Sequence, residues 1–306
     1  MQQNNGQSQH QELWPALPFA DWKETCETLH MWTQIVGKLR LTLCSPMNHW
    51  WQVPLYLTTR GLTTSLIPYE KGAFEVEFDF LQHLLRIQTS TGQSQTLPLS
   101  SRSVAAFYRD VMQALHTLGI DVRINTLPQE VKEPIRFEQD EVHKTYDPVF
   151  AHRFWRILIQ TQNVLERYRS PFIGKSSPIH FFWGSFDLAL TFFSGRRAPA
   201  RENADPVTRE AYSHEVISAG FWPGNASFPH PSFYSYTAPV PTGLATAKIQ
   251  PAAAHYNTDL GEFLLSYDDV RQSASPEQMI LEFFQSGYEA GAHLAKWDRK
   301  ELEKVM

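Results

Sequence analysis

Between Ala73 and Phe80 the chain alternates strictly. Phe74, Val76, Phe78 and Phe80 take one parity, and Glu75, Glu77 and Asp79 the other. A period of two places the rings on one face of a β-strand and the acids on the other, so this is the clearest predicted strand. Short β-rich runs punctuated by Pro or Gly predict further strands in KLRLTL (Lys38–Leu43), WWQVPLYLTT, LTTSLIP, HLLRIQTS, SQTLPL and GIDVRINTLP. A helical period runs from Trp14 to Val36, where Trp22, Cys26, Leu29 and Val36 share a face. Further helices are predicted from about Ser101 to Leu118, over Asp147–Arg169 and from Pro276 to about Trp297. Asp147 followed by Pro148 is a helix-start signal. Strands at about 179–193, 213–221, 232–238 and 261–266 complete the second half.

Helix, antiparallel strands, helix therefore occurs twice. A charged, Pro-containing linker at 128–146 separates an N-terminal half (14–127) from a C-terminal half (147–306), and residues 1–13 read as a disordered polar tail rich in Gln. The expectation is an α+β fold of two similar halves, each an antiparallel sheet flanked by helices. An internal duplication is one explanation, and coincidence among common α+β patterns is the other. Aligning LHMW with AHRFW, SPMNHWW with SPIHFFW, and FEVEFDF with HEVISAG pairs His30 with His152, His49 with His180, and Glu75–Val76 with Glu215–Val216.

The differences under that alignment point to a site. Where the first half carries Phe74, Val76, Phe78 and Phe80, the second carries His214, Val216, Ser218 and Gly220. Removing ring volume from a packed sheet leaves space for a ligand or ordered water. The stretch PIHFFWGSFDLALTFFSG sets His180 and Asp187 among aromatic residues, and a bulge or bend at Gly184-Ser185 would bring the two to one face. His180, Asp187, His214 and Glu215 are thus the candidate catalytic residues. The same four have the ligand types of a site for one transition-metal ion. Without metal they could form an acid/base set, and the third reading is a polar network that only fixes the core. Phe181, Phe182, Trp183, Ser218, Phe221, Trp222, Tyr234 and Tyr236 are the candidate ligand-binding residues. His30 and His152, beside tryptophans on helices, read as satisfied core histidines.

Charge and composition narrow the classes. A net charge of −5, with acids and bases mixed along the chain, argues against a nucleic-acid partner or an anionic membrane surface. No run reaches the roughly 18 apolar residues of a membrane span. Two cysteines make no disulfide framework, and no secretory leader pattern is present, so a cytoplasmic location is expected. Neither G-x-G-x-x-G nor G-x-x-x-x-G-K-[ST] occurs, so no nucleotide cofactor held by those loops is expected.

The motifs WPALPFADWKETCETLHMW, NHWWQVPLYLTTRGLTTSLIPY, FEVEFDF, SPIHFFWGSFDLALTFFSGR, DPVTREAYSHEVISAGFWPG and LGEFLLSYDDVR resemble those of a bacterial family, domain of unknown function 5996. The resemblance runs from about Trp14 into the last helix. It implies a soluble bacterial protein of one family-wide architecture and supplies no activity.

The functional expectation is an enzyme acting on a small, partly apolar or aromatic molecule at the His/carboxylate site of the second half. The alternative is a non-catalytic binding protein for a small hydrophobic ligand, and a third class is an interaction protein without a pocket.

Overall fold

The computed structural model describes residues 13–70, 72–200 and 202–304. The expected tail therefore lies almost wholly outside the described residues.

The first half opens on α1 (Phe19–Leu43), a 25-residue helix buried nearly all round. Its core side includes Trp22, Leu29, Trp32, Ile35 and Leu39. The strand expected over Lys38–Leu43 is instead the end of this helix. Leu39, Leu41 and Leu43 alternate as a strand would, but Lys38 and Arg40 are buried too. Lys38 Nζ donates to the Leu127 carbonyl at 2.8 Å, and Arg40 Nε donates to the Gln52 carbonyl at 2.9 Å. The polar parity is satisfied by distant backbone rather than by water, so alternation does not report a half-buried sheet here.

Strands β1 (Tyr56–Leu57), β2 (Gly61–Thr63), β3 (Ile67–Tyr69), β4 (Gly72–Asp79), β5 (Leu84–Thr89) and β6 (Ser94–Pro98) follow. They form an antiparallel meander ordered β1-β2-β4-β5-β6, with β3 added on β4. On β4 the apolar parity is buried as expected: Phe74, Val76 and Phe78 have 1% or less exposure. Asp79, on the acidic parity, is also buried, held by Arg60 at 2.7 Å and Arg86 at 3.1 Å.

Helix α2 (Val104–Thr117) is capped by the Ser103 hydroxyl, which accepts the Ala106 N–H. No strand forms in GIDVRINTLP. In the 128–146 segment Phe137 and Asp140 are buried.

The second half begins with α3 (Pro148–Arg169), whose N-cap is Asp147 as expected. Its carboxylate accepts the N–H groups of Val149 and Phe150. Then come β7 (His180–Phe182), β8 (Asp187–Arg197), α4 (Pro206–Ala211), β9 (His214–Trp222), β10 (Ser232–Ala238), β11 (His255–Asn257) and β12 (Glu262–Ser266). Helices α5 (Tyr267–Gln272), α6 (Pro276–Leu294) and α7 (Arg299–Leu302) close the chain. The sheet is again an antiparallel meander, β7-β8-β9-β10-β12, with β11 added on β12.

The fold is thus α+β, with two six-stranded antiparallel sheets flanked by helices. Strands β4 and β9, aligned from sequence, are the third strands of their meanders. The first strands of the two meanders meet: Leu55, just before β1, and Phe181 on β7 exchange both backbone hydrogen bonds at 2.9 Å. One aromatic core includes residues of both halves, as in the contact of Trp22 with Phe154 at 5.1 Å between ring centres.

Candidate functional site

The second sheet has two unlike faces. Leu188, Leu190, Phe192, Ile217, Phe221 and Phe233 form the face turned to the helices, and all are buried. The opposite face carries the polar residues. Its register pairs His180 with Ala189, Ala189 with Gly220 and Gly220 with Tyr234. In the next row it pairs Thr191 with Ser218 and Ser218 with Tyr236. A floor of small side chains therefore lies between His180 on one side and two tyrosines on the other.

This is the place where the sequence alignment removed three rings. The neighbouring strand puts two back. A Cβ on Gly220 would lie 2.6 Å from Tyr234 Oη, so only glycine lets that ring cross the strand. Tyr234 and Tyr236 stack with centres 6.1 Å apart, and Thr191 and Ser218 share a hydroxyl hydrogen bond at 3.0 Å. The space expected above Ser218 and Gly220 is partly filled by these rings.

Tyr234 reaches over Gly220 to Asp187, to which it donates its hydroxyl hydrogen. Ser185, in the turn between β7 and β8, donates to the same carboxylate at 2.5 Å. That hairpin also answers the geometry left open by the sequence: Phe182 pairs with Asp187, so His180 and Asp187 are diagonal neighbours on one face. Burial pushes the Asp187 carboxyl up, against the pull of the Ser185 and Tyr234 hydroxyls.

Two further carboxylates stand around Asp187. Glu130 comes from the 128–146 segment and has a left-handed backbone, φ 56°. It lies across the β7–β8 turn, where a Cβ on Gly184 would be 2.5 Å from its Oε1. Glu130 keeps contact with solvent, yet the surrounding protein first, and the charges of Asp187 and Asp205 second, push it up to about 7. Glu262, half-buried at the start of β12, is pushed up to about 7 by burial and by Asp187. Among the described residues, no cation pairs with Asp187, Glu130 or Glu262.

Helix α1 sets this arrangement. Gln34 donates to the Gln129 carbonyl at 2.9 Å and accepts the Gln129 N–H at 2.8 Å. His30 presents Nε2 to the Gly184 carbonyl at 2.8 Å, the geometry of an Nε2–H donor. Burial pushes His30 down to about 4, so it is a neutral positioning group, in keeping with its reading as a satisfied core histidine.

The far end of the face is aromatic and basic. Trp51 lies 5.8 Å from His180 and 5.3 Å from His49, and His49 lies 5.5 Å from His214, ring centre to ring centre. Lys175 Nζ donates to His49 Nε2 at 2.9 Å. His49 and Trp50 have left-handed backbones, φ 58° and 61°, as does Phe186 near Asp187, φ 61°. Such conformations are costly for residues with side chains and concentrate at functional sites.

The four residues singled out as catalytic or metal-ligating are not brought together. His180 pairs with Ala189 near the start of β8, whereas His214 pairs with Arg197 at its end. Glu215 turns to the other side and is held by Arg196 at 2.6 Å. The odd–even alternation of β9 separates Glu215 from His214 and Ser218. Among the described residues, no three His, Cys, Asp or Glu side chains gather as a metal ion would require. Of the expected ligand-binding residues, Phe181 and Phe221 belong to the core face, and Trp183 is buried with its indole N–H donated to the Val53 carbonyl at 2.8 Å. Phe182, Ser218, Trp222, Tyr234 and Tyr236 do line the outer face, where Trp222 and Phe228 stack at 5.7 Å.

Residues 14–304 match the family of unknown function DUF5996. The chain belongs to that family. No curated protein and no solved structure matches it. No helix among the described residues of this DUF5996 chain is long and apolar enough to cross a membrane. An open groove of about 630 Å³ along α2, lined by Tyr108, Arg109, Met112, Arg123 and Glu138 among others, shares no residue with the Asp187 face. None of its lining residues has a left-handed backbone, and its carboxylates are exposed.

Glu130, Ser185 and Glu262 were missed from sequence. Glu130 sits in what reads as a linker, and only the 95-residue span between Gln34 and Gln129 carries it to the sheet.

Proposed function

We propose that this chain is an enzyme acting on a small, partly apolar or aromatic molecule at the outer face of the second sheet. Asp187, Glu130 and Glu262 are its proton-carrying groups, and Tyr234 orients and polarises the Asp187 carboxylate. The observation that carries this reading is Asp187 itself. It is a buried carboxylate held by two hydroxyls and, among the described residues, no cation, and the exposed Glu130 carboxylate lies against Gly184 beside it. Carboxyl groups raised to about 7, as those of Glu130 and Glu262 are, can both accept and donate a proton in one cycle. Phe182, Trp222, Phe228 and Tyr236 supply the apolar walls. The two free cysteines, Cys26 and Cys44, suit a reducing, cytoplasmic setting.

A non-catalytic binding protein is the second reading, favoured by the half-buried stacked pair Trp222 and Phe228 beside the floor. Ligand-observed NMR with a library of small aromatic amines and alcohols, without carboxylic acids, tests both against wild type and Asp187→Asn. Binders lost in Asp187→Asn support the site. Binders retained unchanged in Asp187→Asn would sink it. Turnover of a validated binder by wild type, and its loss in Glu130→Gln, separates enzyme from binding protein.

A further inference from the structure

Among the described residues, His180 is the one side chain with two buried polar atoms that both lack a hydrogen-bond partner. Its ring is fully buried. It is boxed by Phe182, Tyr56 and Trp51 at 5.3, 5.7 and 5.8 Å between centres. Buried polar groups in folded proteins are paired as a rule, and an exception marks an occupant such as water, an ion or a ligand.

The nearest charge identifies which. Arg40 is buried, and its Cζ lies 5.5 Å from the centre of the same Tyr56 ring. Its Nε and Nη1 donate to the carbonyls of Gln52 and Thr64, and no carboxylate pairs with it among the described residues. These carbonyls take two of its five N–H groups and do not neutralise its charge. That charge reaches His180, where burial first and Arg40 second push the imidazole down to about 3. Lys175, beyond Trp51 at 5.1 Å from its ring centre, also lacks a carboxylate partner. Asp187, the diagonal neighbour of His180, is already engaged by Ser185 and Tyr234. Donors and positive charge thus collect at one spot, with no protein acid to answer them.

We propose that Arg40, Tyr56 and His180 form a binding site for the carboxylate of a small organic acid, at the join between the two meanders. A carboxylate offers about four acceptor positions. The guanidinium, the Tyr56 hydroxyl and one imidazole N–H supply donors for them, and the negative charge offsets that of Arg40. Water could satisfy His180 but would leave Arg40 without a counter-charge. Tyr56 and Trp51 are half-buried and form the solvent side of the box, so they are the residues that move aside for entry. The site stands independently of the chemistry assigned to Asp187.

Acetate and benzoate titrations, followed by imidazole ¹⁵N NMR and calorimetry at constant ionic strength, test it. The expected result is a saturable, one-to-one shift of the His180 nitrogens and a His180 pKa that rises on binding. Tyr56→Phe removes one hydroxyl with little effect on folding, checked by circular dichroism. It should weaken the acids about tenfold, the loss of one hydrogen bond to a charged group. The proposal is overturned if the His180 signals do not respond, or if Tyr56→Phe binds equally well. It is also overturned if chloride or phosphate gives the same response as the carboxylates.

Discussion

The Gln34 side chain grips the backbone of Gln129 at both its N–H and its carbonyl, one residue before Glu130. Gln34 is fully buried, and no other side chain nearby offers the same donor and acceptor in one planar group. Gln34→Leu removes both bonds and leaves the Gln129 groups to seek water. The expected cost is about 1–3 kcal/mol of stability in urea denaturation, together with loss of ligand binding at the Asp187 face. Unchanged binding in a folded Gln34→Leu protein would show that Glu130 needs no clasp.

Gly184 and Glu130 touch without room for a methyl group. In Gly184→Ala the flexible carboxylate end swings aside and the backbone stays, so stability should change by less than about 1 kcal/mol. The Glu130 carboxyl should then titrate nearer the ordinary value, read by side-chain ¹³C NMR. A retained value near 7 would place the cause of the shift elsewhere.

Stability should depend on pH through two opposed sets of groups. Glu130 and Glu262 are both raised to about 7. The folded chain therefore binds their protons more tightly, and their contribution is present at low pH and lost as pH rises from about 4.3 towards 7. His30 and His180 are lowered to about 4 and about 3. Their contribution is present above about 6.5 and lost as pH falls through the acid range. Melting temperatures of Glu262→Gln against wild type between pH 5 and 8 isolate the first set. The difference between the two curves should grow steadily with pH and change in favour of the variant, and parallel curves would contradict the shift.

Asp79 combines full burial with two arginine partners and the N–H groups of Leu81 and Gln82. Burial pushes its carboxyl up, but these donors outweigh burial and hold it below the usual range. Asp79→Ala removes the acceptor of four donors, but Arg60 and Arg86 are partly open to water, so it should cost about 1–3 kcal/mol. Because the folded value is depressed, this contribution is present above about 3.9 and fades as pH falls through the folded value. Equilibrium denaturation at pH 7 and pH 3 reads both effects, and a loss below about 1 kcal/mol at neutral pH would remove Asp79 from the framework.

What could be read from sequence was whatever a local period records. The β4 alternation, the Asp147–Pro148 helix start and the strands near 213–221, 232–238 and 261–266 appear where the pattern puts them, whereas the run at 179–193 is two strands, β7 and β8, folded back as a hairpin. KLRLTL misled because Lys38 and Arg40 spend hydrogen bonds on carbonyls outside the helix, which leaves a strand-like alternation on a helix. The Asp187 face was half legible. His180, Asp187, Ser218, Tyr234 and Tyr236 could be gathered from residue types and parity. Glu215 and His214 were drawn in by aligning HEVISAG with FEVEFDF, and alternation on β9 parts them. Glu130 comes to the face against Gly184 and Arg40 is held by the carbonyls of Gln52 and Thr64, contacts for which a single sequence holds no local signal. The rings lost at Ser218 and Gly220 were noticed, but their replacement by Tyr234 depends on strand register, which pattern alone does not set.

The reciprocal amide pair between Leu55 and Phe181 has a consequence for how this chain can be cut. Strand β7 ends its sheet, and an uncovered edge is a template for another chain. In the whole molecule the first half supplies the cover. Severed near residue 128, each piece would present the bare flank that its sister now occupies, and the pieces would be expected to find each other, or to stack with their own kind.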